Sequence, residues 1–342
     1  NKHIHDMKKT NRTAILTIFM ALCCLGIVFV TGSGSKADPQ DEDIQLSEGW
    51  FIQSSAKTAL DGVQLSSEGT DFEKDWYKAS VPSTIMGALT TENGLFADAF
   101  YGKNYNDIDR GQFDTTWWYR TSFEVPALKD GQRAELAFDG LSYRADVWLN
   151  GKQIASADEF FGPFRQFAFD VTDVLKEKNS LAVRVYRWQK GEFNIGFVDW
   201  NPRPADESMG IFRPVWLRYS DAVSLKDPAV RSKVDTVDFK EAWLTVEATL
   251  CNASDKAVSG KLHGEFENGS FDYPVELAAG ETKTVKVTAE DARKLHVKNP
   301  RLWWCHNLGN PEMYAMEVSF NVNGKQSDSE NVDFGIREID TY

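Results

Sequence analysis

The sequence predicts an all-β protein of two antiparallel sandwiches, a large jelly-roll-like one followed by one of immunoglobulin size. Three observations carry this. Short segments alternate apolar and polar residues, turn dipeptides punctuate them, and 342 residues exceed what one hydrophobic core usually supports.

The elements follow in order. Convincing helices are scarce: residues 82–92, and a turn at 289–295. Leu136 and Phe138 alternate with polar neighbours. Val147 and Leu149 share a face and run into Asn150-Gly151, a dipeptide that favours the positive-φ turn matching strand twist. Leu181, Val183 and Val185 share a face and alternate with Ala182, Arg184 and Tyr186. The pattern pauses at Ser220 to Pro228, which sets a boundary with domains at 38–222 and 223–335. It resumes with Leu244, Val246, Ala248 and Leu250, then Val285 and Val287 after a Gly280 turn. Tyr314, Met316, Val318, Phe320 and Val322 lead into Asn323-Gly324. No low-complexity tract separates the halves, so the linker is short and the two modules are expected to pack together.

The first 37 residues read differently. Lys8, Lys9 and Arg12 precede a nearly unbroken apolar run from Ala14 to Val30, and Ser35-Lys36-Ala37 is a small-x-small cleavage site. The expectation is export to the periplasm or the outside, with cleavage near Ala37. Net charge is −13 for the whole sequence. Without residues 1–37, 33 basic and 50 acidic residues remain, hence −17. So acidic a surface repels phosphate backbones, and general nucleic-acid binding is not expected.

Much chemistry is missing from the sequence. It has no nucleophile elbow, P-loop, dinucleotide fingerprint or zinc-protease helix. His296, Cys305 and His306 lack zinc spacing, and nothing calls for a metal or a cofactor. Cys251 and Cys305 permit one disulfide without requiring it. Acidic residues are plentiful, but sequence alone cannot pair carboxylates across strands. The 11 tryptophans are the unusual feature, because flat aromatic faces suit both cores and sugar rings.

One stretch breaks the strand rhythm: Phe197-Val198-Asp199-Trp200-Asn201-Pro202-Arg203-Pro204, continuing to Gly210-Ile211-Phe212-Arg213-Pro214-Val215. Two prolines exclude a central strand. An acid, an indole and an amide open a long loop, which reads either as a ligand-facing segment or as a stiff connection beneath a neighbouring domain.

Several ordered segments resemble the N-terminal part of glycoside hydrolase family 2. They are Trp118-Tyr119-Arg120 with Phe123, Val147-Trp148-Leu149-Asn150-Gly151, Gly162-Pro163-Phe164, and Phe169-Asp170-Val171-Thr172 with Leu175 to Val185. Ser208 to Val215 resembles the family's G-I-x-R-x-V signature, and Phe334-Gly335-Ile336-Arg337-Glu338-Ile339 resembles the lead into its catalytic barrel. Within the family, Asp199 to Pro202 with Met209 to Arg213 is most like exo-β-D-glucosaminidases, then β-mannosidases. Trp303-Trp304 ahead of Asn307-Leu308-Gly309 points the same way, although Cys305 stands where the family usually has proline.

The resemblance implies a galactose-binding-like jelly roll, an immunoglobulin-like sandwich and then a (β/α)8 barrel bearing both catalytic glutamates. A barrel takes about 200 residues or more, and residues 336–342 read as the stub before it. The expectation is therefore a non-catalytic portion of a retaining exo-β-glycosidase, with no catalytic residue in the 342 residues. Its partners would be the barrel and a carbohydrate, a β-linked amino sugar or mannoside, with β-galactosides as an alternative substrate. The resemblance gives Asp199 the role of an acid on substrate hydroxyls or an amine. Trp200 becomes a stacking wall and Asn201 a secondary candidate. Arg213 would tie the loop back by charge-assisted hydrogen bonds. Two other classes stay open: a free-standing carbohydrate-binding module, and an adhesive surface sandwich held by residues 14–30.

Overall fold

A computed structural model describes residues 42–339 other than 97, 194–199 and 201. The proposed leader lies outside them. Among the described residues no helix is long and apolar enough to cross a membrane.

The first sandwich pairs a six-stranded sheet with a four-stranded one. The six run in spatial order Tyr77–Ala79, Trp50–Ser54, Trp117–Glu124, Lys178–Tyr186, Arg144–Leu149 and Lys152–Ala155. The four run Ile44–Gln45, Val215–Ser220, Arg133–Phe138 and Phe167–Asp170. Leu181, Val183 and Val185 from one sheet share a core with Leu136, Phe138 and Leu217 from the other. The alternation read from sequence thus finds its buried face.

It does not describe the opposite face of the larger sheet. Trp118, Arg120 and Ala182 point outward by period, yet all are buried. The segment between Leu60 and Trp76 folds over them, with Leu65 and Phe72 beside Trp118 and Ala182 in a second apolar cluster. Arg120 is tolerated there because its charge is spread over several acceptors. Its Nε donates to Leu65 O at 2.9 Å and its Nη1 to Ser122 Oγ at 2.9 Å. The guanidinium also lies 3.8 Å from the Phe72 ring centre.

The second sandwich is more regular. One sheet holds Val223–Val234, Glu241–Asn252 and Thr282–Thr288, with His296–Lys298 also on the central strand. The other runs Gly269–Leu277, Val258–Phe266, Tyr314–Val322 and Lys325–Phe334. Along Glu241–Asn252 every second residue is buried, from Ala242 to Asn252. Asn150-Gly151 and Asn323-Gly324 both form the expected turns, with φ of 53° and 83° in the first and 53° and 79° in the second.

The helical expectations at 82–92 and 289–295 correspond to short turns, an α-turn Ile85–Gly87 running into a wider turn Ala88–Glu92, and a single turn Arg293–Leu295.

The last strand of one sandwich ends at Ser220 and the first of the next begins at Val223. Lys226 Nζ meets Glu135 Oε1 at 2.6 Å across the junction, and Asp221 N donates to Ser327 O at 2.8 Å. The modules therefore pack against each other, as the short linker predicts. Cys251 and Cys305 are free thiols.

Candidate functional site

The long loop leaves the strand Lys178–Tyr186 and ends at the short strand Gly210–Ile211, which pairs with Ser83–Thr84. Gly210 sets that end. Its φ is +146°, and a Cβ there would lie 2.6 Å from Tyr119 Oη and 2.7 Å from Thr84 Cα. No other residue fits such a backbone approach. Ile211 and Val215 then enter the core, fully buried. The signature glycine, isoleucine and valine are thus explained by packing.

Arg213 departs from its expected role. It is exposed, and among the described residues its guanidinium makes no hydrogen bond or ion pair. It contributes a backbone contact, Arg213 N to Gly140 O at 3.3 Å. Its stem lies so close over Gly140 that a Cβ there would come within 2.9 Å of Arg213 Cδ.

The loop is tied back by Asp206 and Arg203 instead. Asp206 is 1% exposed and accepts from Met86 N at 2.7 Å and Ser208 N at 2.9 Å. Burial raises its pKa above the ordinary carboxylate value, and these donated bonds oppose the rise. Arg203 Nε pairs with the Glu207 carboxylate at 2.8 Å, and its guanidinium sits 5.4 Å from the Trp188 ring centre. Tyr105 Oη and Arg110 Nη2 both donate to Arg203 O, at 2.8 and 3.1 Å. Glu207 and Ser208 take φ of 56° and 58°, the reversal that swings the chain into Gly210.

Of the three predicted contact residues, Asp199 and Asn201 lie outside the described residues. Trp200 is described and is 85% exposed. That exposure is what a stacking wall needs and what a core tryptophan lacks. Trp50, Trp117 and Trp118 show the alternative, at 1–3%.

Sequence reasoning missed a wall formed by residues 84–105, which faces residues 202–208. Thr84 Oγ1 accepts from Gly87 N at 3.1 Å and starts the Ile85–Gly87 turn. The chain then runs to Phe100 and Tyr101, each 80% exposed. Phe100 stacks on Tyr105 with ring centres 6.1 Å apart. Between this segment and residues 202–208 lies a cleft of 540 Å³, lined among others by Phe100, Tyr105, Pro202, Pro204 and Asp206. The available signal was three aromatics within six residues, Phe100, Tyr101 and Tyr105, around Gly102.

Asp206 is the one carboxylate among the cleft's described lining residues, and backbone N–H groups engage both its oxygens. Retaining glycoside hydrolysis needs two carboxyls about 5–5.5 Å apart. Acids do gather elsewhere, in a 290 Å³ cleft at the junction of the sandwiches that includes Asp43, Glu135, Asp139 and Asp328. Each of these is engaged structurally. Glu135 holds Lys226, Asp139 accepts from Trp216 Nε1 at 2.9 Å, Asp43 from Tyr219 N at 3.2 Å, and Asp328 from Leu225 N at 2.7 Å.

Trp303 and Trp304 belong to the second sandwich. Trp304 meets Phe239 edge-on at 6.0 Å, Arg337 stacks 4.5 Å from the Trp303 ring centre, and Glu338 accepts from Val234 N at 2.7 Å.

Comparison with known proteins gives concordant results. Residues 50–192 match the glycosyl hydrolase 2 galactose-binding domain-like family, and residues 223–337 match glycosyl hydrolases family 2. The exo-β-D-glucosaminidase of Streptomyces avermitilis is 36% identical over 293 residues, which is 85% of this chain and 32% of that protein. A mannosylglycoprotein endo-β-mannosidase of Lilium longiflorum is 31% identical over 86% of this chain and 34% of its own length. The crystal structure of an Amycolatopsis orientalis exo-chitosanase superimposes with a TM-score of 0.79 at 32% identity, covering 87% of this chain and 34% of that one. The chain spans about a third of the length of these relatives.

Proposed function

The chain belongs to glycoside hydrolase family 2, carrying its two N-terminal domains, and from that premise we propose that it is the substrate-recognition and scaffold portion of a retaining exo-β-glycosidase acting on β-linked D-glucosamine. The observation that carries the reading is Trp200, an indole left in solvent just ahead of a segment that the Asp206 carboxylate and the Arg203 carbonyl tie to Met86, Tyr105 and Arg110.

The residues would act as follows. The indole face takes the apolar side of a sugar ring. Asp199 accepts from a hydroxyl or ammonium of the same ring, and Asn201 supplies a further polar contact. Bond cleavage belongs to two glutamates on a barrel, by way of a glycosyl-enzyme intermediate. The apolar run at 14–30 and the Ser35-Lys36-Ala37 site support export, so the grip would meet its glycan outside the cytoplasm. A secreted chain whose first residue is Asp38 is the expected result of N-terminal sequencing.

A second substrate, a β-mannoside, is favoured by the likeness to the lily mannosidase. One experiment separates the two. Residues 38–342 replace their counterpart in the Amycolatopsis orientalis enzyme, and the chimera is assayed on aryl β-D-glucosaminide and aryl β-D-mannoside. Glucosaminide turnover is expected, with Trp200→Ala raising KM about tenfold. Mannoside preference, or a KM indifferent to Trp200, contradicts the reading.

A further inference from the structure

We propose that the cleft between residues 84–105 and 202–208 is a separate sugar-binding subsite, which holds the next residue of a β-linked glucosamine chain while Trp200 faces the terminal one. The ligand class rests on the glucosaminidase reading above; the cleft itself rests on its own geometry.

Three features point to a sugar. First, the cleft measures 540 Å³, within the range of small-ligand sites. Second, its rim is aromatic and open. Phe100 is 80% exposed although Tyr105 stacks on it, so the remaining ring face is left for a ligand. An isolated exposed phenylalanine is ordinary, but this one lines the cleft together with Tyr105. Third, the wall holds an unsatisfied hydroxyl. Thr90 lines the cleft, and its Oγ1 is buried with no hydrogen-bond partner. Buried hydroxyls without partners cost free energy, and a hydroxyl or amine entering the cleft removes that cost. An apolar ring face next to a hydrogen-bonding edge matches the two-sided chemistry of a pyranose.

The cleft is also built to keep its shape. Tyr105 Oη donates to Arg203 O at 2.8 Å, and Met86 N donates to Asp206 Oδ2 at 2.7 Å. These bonds join the two walls directly. Pro202 and Pro204 stiffen one of them.

The test is calorimetric titration of the 342-residue chain with a β-1,4-linked glucosamine trimer and, in parallel, a β-1,4-linked mannose trimer. The expected result is binding of the glucosamine trimer. Phe100→Ala should weaken it about tenfold and Thr90→Val about fivefold. Neither variant threatens folding, since Phe100 is exposed and Val replaces a hydroxyl that makes no internal bond; unchanged thermal midpoints check this. Binding of the mannose trimer alone, weakened by the same two variants, overturns the amino-sugar assignment and with it the glucosaminidase reading. Binding that is lost in Trp200→Ala but indifferent to both cleft variants overturns the subsite and leaves the Trp200 reading standing. Absence of binding to either trimer at millimolar concentration overturns the subsite.

Discussion

The two sandwiches use their residues in opposite ways. In the second, strands run up to 12 residues and are joined by tight turns, such as Phe266 to Gly269 and Val322 to Lys325. In the first, described residues between Ile85 and Phe113 and between Pro202 and Ser208 lie outside the sheets, and there the 540 Å³ cleft arises. The contrast teaches that a cleft opens where the strand pattern is interrupted and then tethered. The uninterrupted sandwich supplies a rigid body on which to mount it.

Glycines give the sharpest way to break this comparison. Gly210→Ala should cost about 3 kcal/mol or more, since the new methyl meets the backbone of Thr84 and Ser83. Gly324→Ala, at a positive φ with nothing within 4 Å, should cost only about 1 kcal/mol. Urea unfolding midpoints of the two variants test the ranking. Equal losses would mean the loop end is no more constrained than a free hairpin.

The junction offers a pH test. Burial pushes the Asp328 carboxyl up to about 7, and Asp43 and Glu330 also move upward. Arg218 and Lys226 face them, as do Glu135, Asp139 and Asp227. The folded state keeps the Asp328 proton after the unfolded chain has lost its own. It therefore binds more protons between pH about 4 and about 7, and stability falls as pH rises through that window, then levels off. Asp328→Asn should flatten this slope, by on the order of 2 kcal/mol at its upper end. Thermal midpoints across pH 4 to 8 read it, and a variant as steep as the parent would remove Asp328 as the cause.

A change of similar size is expected for Asp206→Ala, about 2 kcal/mol, because Met86 N and Ser208 N lose their acceptor. Hydrogen exchange should quicken at those two amides while the core amides of Leu244 to Leu250 stay protected. Uniform quickening would show that the tether is not local. A smaller effect belongs to Arg203→Ala. Its side chain is half exposed, but that of Glu207 is only 8% exposed and loses its ion-pair partner, so about 1 kcal/mol is expected from the pair.

Legibility in the sequence followed the range of the interactions. Leu181, Val183 and Val185 declared a buried face because period 2 is local to one strand. Asn150-Gly151 and Asn323-Gly324 declared their turns because φ preference belongs to single residues. The covered outer face was not legible. Trp118, Arg120 and Ala182 look half-exposed until residues 60–76 fold back over them, a long-range event with no local mark. The same holds for the site. Pro202 and Pro204 marked one wall, whereas the other comes from residues 84–105 about a hundred positions earlier. Arg213 misled because a guanidinium announces charge but not its partner, and the anchoring fell to Asp206, which no motif singled out.

One measurement bears most directly on the central claim that this chain grips and positions but does not cleave. The purified chain is incubated with an aryl β-D-glucosaminide and aglycone release is followed against buffer. No release above buffer is the predicted result. Saturable turnover that persists through purification and falls in Asp328→Asn or Asp206→Asn would contradict it, placing a reaction centre within the two sandwiches.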